Sequence, residues 1–75
     1  MRSIYTTQQE TLCMLLRHAR KKAGLTQVQL EKRLRAYRGY VSKYENGERE
    51  LTLRELLEIA EALGIDPLSI MKPNS

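Results

Sequence analysis

Seventy-five residues suffice for one small domain and leave no room for a second core. With 41% hydrophobic residues but neither Phe nor Trp, such a core rarely supplies more than about 3–5 kcal/mol unaided, so a homodimer is expected. The net charge of +4 is unevenly spread: residues 1–44 hold ten Lys/Arg against Glu10 and Glu31, whereas residues 45–75 hold three against seven acids.

A basic half joined to an acidic half points to a side that faces a polyanion, although a solvated charged surface accounts for the charge alone equally well. Cys13 is the single cysteine, which excludes an intrachain disulfide and a cysteine-rich zinc site and fits a reducing cytosol. The longest apolar run, LCMLL, is too short to span a bilayer, and no signal peptide precedes it. The expectation is a soluble, cytoplasmic protein without membrane contact.

Every element reads as helix, within a single domain covering residues 1–75. Residues 1–6 are expected to form an arm of low structure. Thr7-Gln8-Gln9-Glu10 fits a capping box, in which the Thr hydroxyl and the Glu carboxylate satisfy orphan backbone donors. Leu12, Leu15, Leu16, Ala19 and Ala23 follow at helical spacing, and Gly24 is a natural terminator. Thr26-Gln27-Val28-Gln29 is a second capping box, opening a helix to about Leu34 whose apolar side is Val28, Leu30 and Leu34. A third helix is expected over 38–46, with Val41 and Tyr44 inward and Gly47 ending it. Thr52-Leu53-Arg54-Glu55 opens a fourth, with a broad stripe of Leu53, Leu56, Leu57, Ile59, Ala60 and Leu63 closed by Gly64. Asp66 as N-cap and Pro67 as first helical residue begin a short fifth helix carrying Leu68, Ile70 and Met71, before a tail at 72–75.

Few residues suit chemistry other than binding. His18, the only histidine, has no Cys, Asp or Glu at ligand spacing, so no metal is expected. Cys13 reads as a small core residue. No nucleophile–base pair, glycine-rich phosphate loop or carboxylate dyad is present, so neither an enzyme nor a cofactor is expected. Arg17, Lys21 and Lys22 read as a solvated face with long-range attraction to a polyanion. On the third helix, Arg38, Gly39, Ser42 and Lys43 fall opposite Val41 and Tyr44. Arg or Lys there can donate to guanine O6 and N7 in a major groove, and Gly39 would allow close approach.

Residues 24–47, GLTQVQLEKRLRAYRGYVSKYENG, resemble the Cro and phage-repressor (XRE-type) helix-turn-helix family in one ungapped register. The matches are Gly24, Leu25, Thr26, Gln27, Leu30, Leu34, Val41, Ser42, Tyr44, Glu45, Asn46 and Gly47. Downstream, LTLRELLEIAEALGIDP looks like the family's helices 4 and 5, and upstream LLRHARKKAG looks like its helix 1. The resemblance implies an all-α, five-helix, lambda-repressor-like domain whose helix-turn-helix, at about 26–47, is formed by helices 2 and 3. It also implies a DNA-binding transcriptional regulator, a homodimer on an inverted repeat of double-stranded DNA with helix 3 of each copy in a major groove. By position, Arg38, Gly39 and Lys43 fall where the family reads bases. Gln27, Tyr40 and Asn46 match phosphate contacts, Gln27 through the helix N-terminus. Arg20 and Glu45 match a structural ion pair tying helix 1 to the end of helix 3.

Three residues depart from the pattern. Glu31 replaces a small Ala, Arg35 replaces the turn Gly, and Tyr37 replaces the Ser or Thr that normally caps helix 3. A glutamate facing the helix 2–helix 3 contact should cost about 1–3 kcal/mol, with Arg35 or Arg38 as its pairing partner. A non-glycine residue at the turn should cost about 1 kcal/mol, unless the turn is reshaped or helix 2 extends. The rival function is a protein-interaction module on the same scaffold, an antitoxin or a regulator's partner, with Glu31, Arg35 and Tyr37 as its interface.

Overall fold

The computed structural model describes residues 4–71, with side chains from 8 to 69. They form five helices: α1 (Ile4–Lys22), α2 (Gln27–Leu34), α3 (Tyr40–Glu45), α4 (Leu53–Leu63) and α5 (Pro67–Met71). α1 begins three residues before the expected Thr7 cap, so Thr7 lies inside the helix and residues 4–6 are not an arm. Ile4-Tyr5-Thr6 contains no Gly or Pro, and an established helix gains a hydrogen bond for each residue added. Residues 1–3 and the expected tail at 72–75 lie outside the described residues.

The other two capping boxes form as expected. Gln29 N donates to Thr26 Oγ1 at 3.1 Å while Thr26 N donates to Gln29 Oε1 at 2.8 Å. Glu55 N donates to Thr52 Oγ1 at 3.1 Å and Thr52 N to Glu55 Oε1 at 2.9 Å. At α5, Leu68 N donates to Asp66 Oδ1 at 3.0 Å.

One core joins the first four helices. Leu16 of α1, Leu30 of α2, Val41 and Tyr44 of α3 and Ile59 of α4 are fully buried. Each such side chain contributes roughly 1.5–3 kcal/mol relative to exposure. α3 packs against α1 and α2, while α4 packs against α2 and α5. The apolar stripe of α4 is narrower than its sequence suggests. Leu56, Ile59, Ala60 and Leu63 are buried, but Leu53 and Leu57 are 59% and 44% exposed. At roughly 100° per residue they sit on the flank of a stripe that is covered from one side only. Leu15, Ala23 and Leu68 are exposed as well. No helix among the described residues is long and apolar enough to cross a membrane.

Candidate nucleic-acid interface

The helix 2–helix 3 connection keeps its turn without the usual glycine. α2 stops at Leu34, and Arg35 adopts φ 57°, ψ 37° as its left-handed C-cap, the only non-glycine residue with positive φ among those described. Its N–H donates to Lys32 O at 3.2 Å, and that of Ala36 to Glu31 O at 2.9 Å. The helix is thus terminated normally, at a conformational cost of about 1–2 kcal/mol for an L side chain. α2 does not extend, and the turn is not rebuilt.

α3 is shorter than the expected 38–46. Arg38 and Gly39 precede it, Gly39 being the N-cap at φ 96°. That backbone angle is open to glycine and not to other residues. The entry into α3 therefore requires Gly39 in its own right.

Glu31 provides the cap that Tyr37 cannot. Its side chain is buried, and Oε2 accepts hydrogen bonds from Gly39 N and Val41 N, both at 3.0 Å. A carboxylate among the first N–H groups of a helix is doubly favoured, by charge-assisted bonding and by the helix dipole. The expected pairing of Glu31 with Arg35 or Arg38 does not occur: both arginines are exposed, and the carboxylate bonds to backbone instead. Its other oxygen, Oε1, is buried without a hydrogen-bond partner, as is the Tyr44 hydroxyl.

The far end of α3 is held by a second carboxylate. Arg20 Nε donates to Glu45 Oε2 at 2.7 Å and Nη2 to Oε1 at 3.1 Å, while Nη1 reaches Leu25 O at 2.8 Å. The hydrogen bond to Glu45 raises the Arg20 pKa, so the guanidinium stays charged in spite of burial. Gln27 Nε2 adds a bond to Glu45 Oε1 at 3.0 Å. The side chain of Gln27 is thereby committed to Glu45. Its backbone N–H, at the first position of α2, belongs to the group that no helix pairs internally. Cys13 Sγ donates to Tyr44 O within the core, and burial raises its thiol pKa.

The solvent side carries Arg38 and Lys43, both exposed, with Ser42 half-buried and Asn46 exposed as the C-cap of α3. Tyr40, expected at a phosphate, is buried to 7% exposure and belongs to the core. Three tyrosines form a ladder. Tyr44, fully buried, meets Tyr40 edge to face with ring centroids 5.5 Å apart, and Tyr40 meets Tyr37 in the same way at 5.6 Å. Tyr37 is 52% exposed, and the Lys43 ammonium lies 5.7 Å from its ring centre. Burial and then Glu55 raise the Tyr40 pKa, so the ring stays neutral.

One buttress was not anticipated. The Arg49 guanidinium stacks 5.0 Å from the Tyr40 ring and grips Glu55 through two bonds of 3.0 and 2.7 Å. Glu55 was visible in the sequence as the closing residue of a capping box, but nothing in the helical period marks an arginine six positions upstream. The Arg49 bond, and then that from Thr52, hold the Glu55 carboxyl at about 2. Among the described residues no group of His, Cys, Asp and Glu is arranged to hold a metal.

The helix-turn-helix family model matches residues 16–70, which span all of this site. An uncharacterised HTH-type transcriptional regulator of Sinorhizobium fredii, y4dJ, is 37% identical over 54 residues, covering 72% of this chain and 70% of that protein. With five helices in this order and α2 and α3 forming the motif, the domain is lambda-repressor-like, and the chain belongs to the XRE-type helix-turn-helix family.

Proposed function

Family membership supports a DNA-binding regulator, a binding domain rather than an enzyme, and we propose the finer reading. The chain is a cytoplasmic, sequence-specific transcriptional regulator of double-stranded DNA. It acts as a homodimer on an inverted repeat, with α3 of each copy in a major groove and half-sites about 34 Å apart. Arg38, Lys43 and Ser42 read base edges, with Gly39 bringing the chain into position. The N-terminus of α2 at Gln27 and the end of α3 at Asn46 take phosphates. Tyr40, whose ring packs in the core, meets a phosphate only through its hydroxyl. Exposed Leu68 on α5 belongs to the contact between copies, together with Ile70 and Met71, whose side chains lie outside the described residues.

The observation that carries this reading is where Glu31 spends its charge. Because Oε2 binds the backbone of Gly39 and Val41, Arg35 and Arg38 remain available to a polyanion beside Lys43. The rival, a protein-interaction module, correspondingly loses Glu31 as an interface residue and rests on Arg35 and Tyr37 alone.

Titration of duplex binding against salt separates the two. The DNA reading requires a steep negative slope of log K against log salt; a folded domain without duplex affinity at low salt would leave the interaction module. Within the DNA reading, Lys43→Ala lowers discrimination between selected and random duplexes, whereas Asn46→Ala, which removes an exposed phosphate donor, weakens both by a similar factor. Equal losses on the two duplexes for Lys43→Ala would contradict its base-reading role.

A further inference from the structure

Tyr37 stands out on the reading surface. It occupies the place of a helix cap, yet Glu31 has taken over that task, so position 37 is released from needing a short side-chain oxygen. Tyr37 is half exposed, yet its ring does not hang free. Edge-to-face contact with Tyr40, itself braced by buried Tyr44 and by the Arg49 guanidinium, fixes it to the core. The Lys43 ammonium sits over the ring, 5.7 Å from its centre and inside the range of cation–π attraction.

We propose that Tyr37 is a specificity-positioning residue, acting through Lys43 by holding its ammonium in front of the groove before DNA arrives. The inference rests on the DNA reading above. A lysine side chain has several rotatable bonds whose freedom is lost when it engages a base. A ring that narrows its range beforehand lessens that loss only for a partner that uses the narrowed position. Phosphate contacts, spread along the backbone and tolerant of small shifts, gain less than a base edge with fixed acceptors. The ring therefore adds discrimination more than affinity. It also occupies no acceptor site, so Lys43 keeps its N–H donors for guanine O6 and N7.

The test is a double-mutant cycle on the full chain, using a duplex selected by the parent from a random pool and a scrambled duplex of equal length. Tyr37→Leu, which keeps apolar bulk on Tyr40 but removes the π face, should lower the ratio of the two affinities about two- to fivefold, the range of an exposed cation–π contact. Tyr37→Phe should restore the parent's ratio, and in a Lys43→Ala background Tyr37→Leu should have no further effect on it. Lys43 Hε resonances, shifted upfield by the ring current in the parent and in Tyr37→Phe, should return to ordinary values in Tyr37→Leu. This separates loss of the contact from loss of fold. Additive losses in the cycle, or a Tyr37→Phe variant as poor as Tyr37→Leu, would mean that Tyr37 touches DNA itself and would overturn the proposal alone. A folded parent that binds neither duplex at low salt would overturn the DNA reading together with it.

Discussion

Replacing Glu31 with alanine removes the acceptor shared by Gly39 N and Val41 N. Hydrogen bonds to a charged group contribute about 1.5–3 kcal/mol each, which sets an upper limit near 6 kcal/mol. Against that stand the cost of keeping the carboxylate dry and the unpaired Oε1, each on the order of 1 kcal/mol or more. Removal of an ordinary N-cap costs about 0.5–2 kcal/mol, and a burial of this degree belongs above that range. The expected loss is about 2–4 kcal/mol, comparable with the entire stability of a core this small. Glu31→Gln keeps one oxygen facing the two amides and should lose only about 1 kcal/mol. Urea unfolding followed by helical circular dichroism measures both, and amide shifts locate the effect, since Gly39 and Val41 should move upfield in Glu31→Ala while α4 stays unchanged. An alanine variant within 0.5 kcal/mol of the parent, with those two amides unmoved, would refute the cap.

Two further perturbations carry definite signs. Arg35→Gly relieves the left-handed strain at φ 57° and should raise stability by about 0.5–1 kcal/mol, read as a higher urea midpoint. The same change deletes an exposed cation, so the slope of log K against log salt should become shallower by about one if Arg35 meets a phosphate. Acid should act through Glu55, whose carboxyl is held at about 2 when folded against an ordinary 4.5, by Arg49 first and Thr52 second. Its folded form binds protons more weakly than the unfolded chain, so the contribution is complete above about pH 4.5 and fades as pH falls toward 2. Unfolding measured across pH 2–6 should show that acid limb flattened in Glu55→Gln.

The capping chemistry of α2 and α4 was legible because its partners are three residues apart: Thr26 with Gln29, and Thr52 with Glu55. The same logic misplaced the start of α1, where a good cap sequence at Thr7 was overridden by a helix already under way. Glu31 was legible as an anomaly but not as a cap. Its partners are backbone N–H groups eight and ten positions downstream, and a backbone donor has no letter in a sequence. Pairing it with the nearest arginines followed charge alone and overlooked the orphan donors at the head of α3. The periodicity of α4 likewise counted Leu53 and Leu57 as core, since the apolar stripe of one helix does not reveal which neighbours arrive to cover its flank. Tyr40 lies four positions before Tyr44, so the period of α3 already put it on the buried face, and it was its match to a phosphate-binding position that pointed it outward.

α3 is held at its head by Glu31 from the preceding helix and at its tail by Glu45 clasped to Arg20 and Gln27. None of these anchoring side chains is among those assigned to base edges. The socket and the lettering are therefore separate parts of the molecule. On the proposed reading, in which Arg38, Ser42 and Lys43 meet base edges, substitutions there alter which sequence is preferred while the helix remains seated, so a lineage descending from this chain can change its operator in single steps without crossing an unfolded intermediate. Substitutions at Glu31 or Glu45 do the reverse, leaving the alphabet intact and dislodging the page on which it is written.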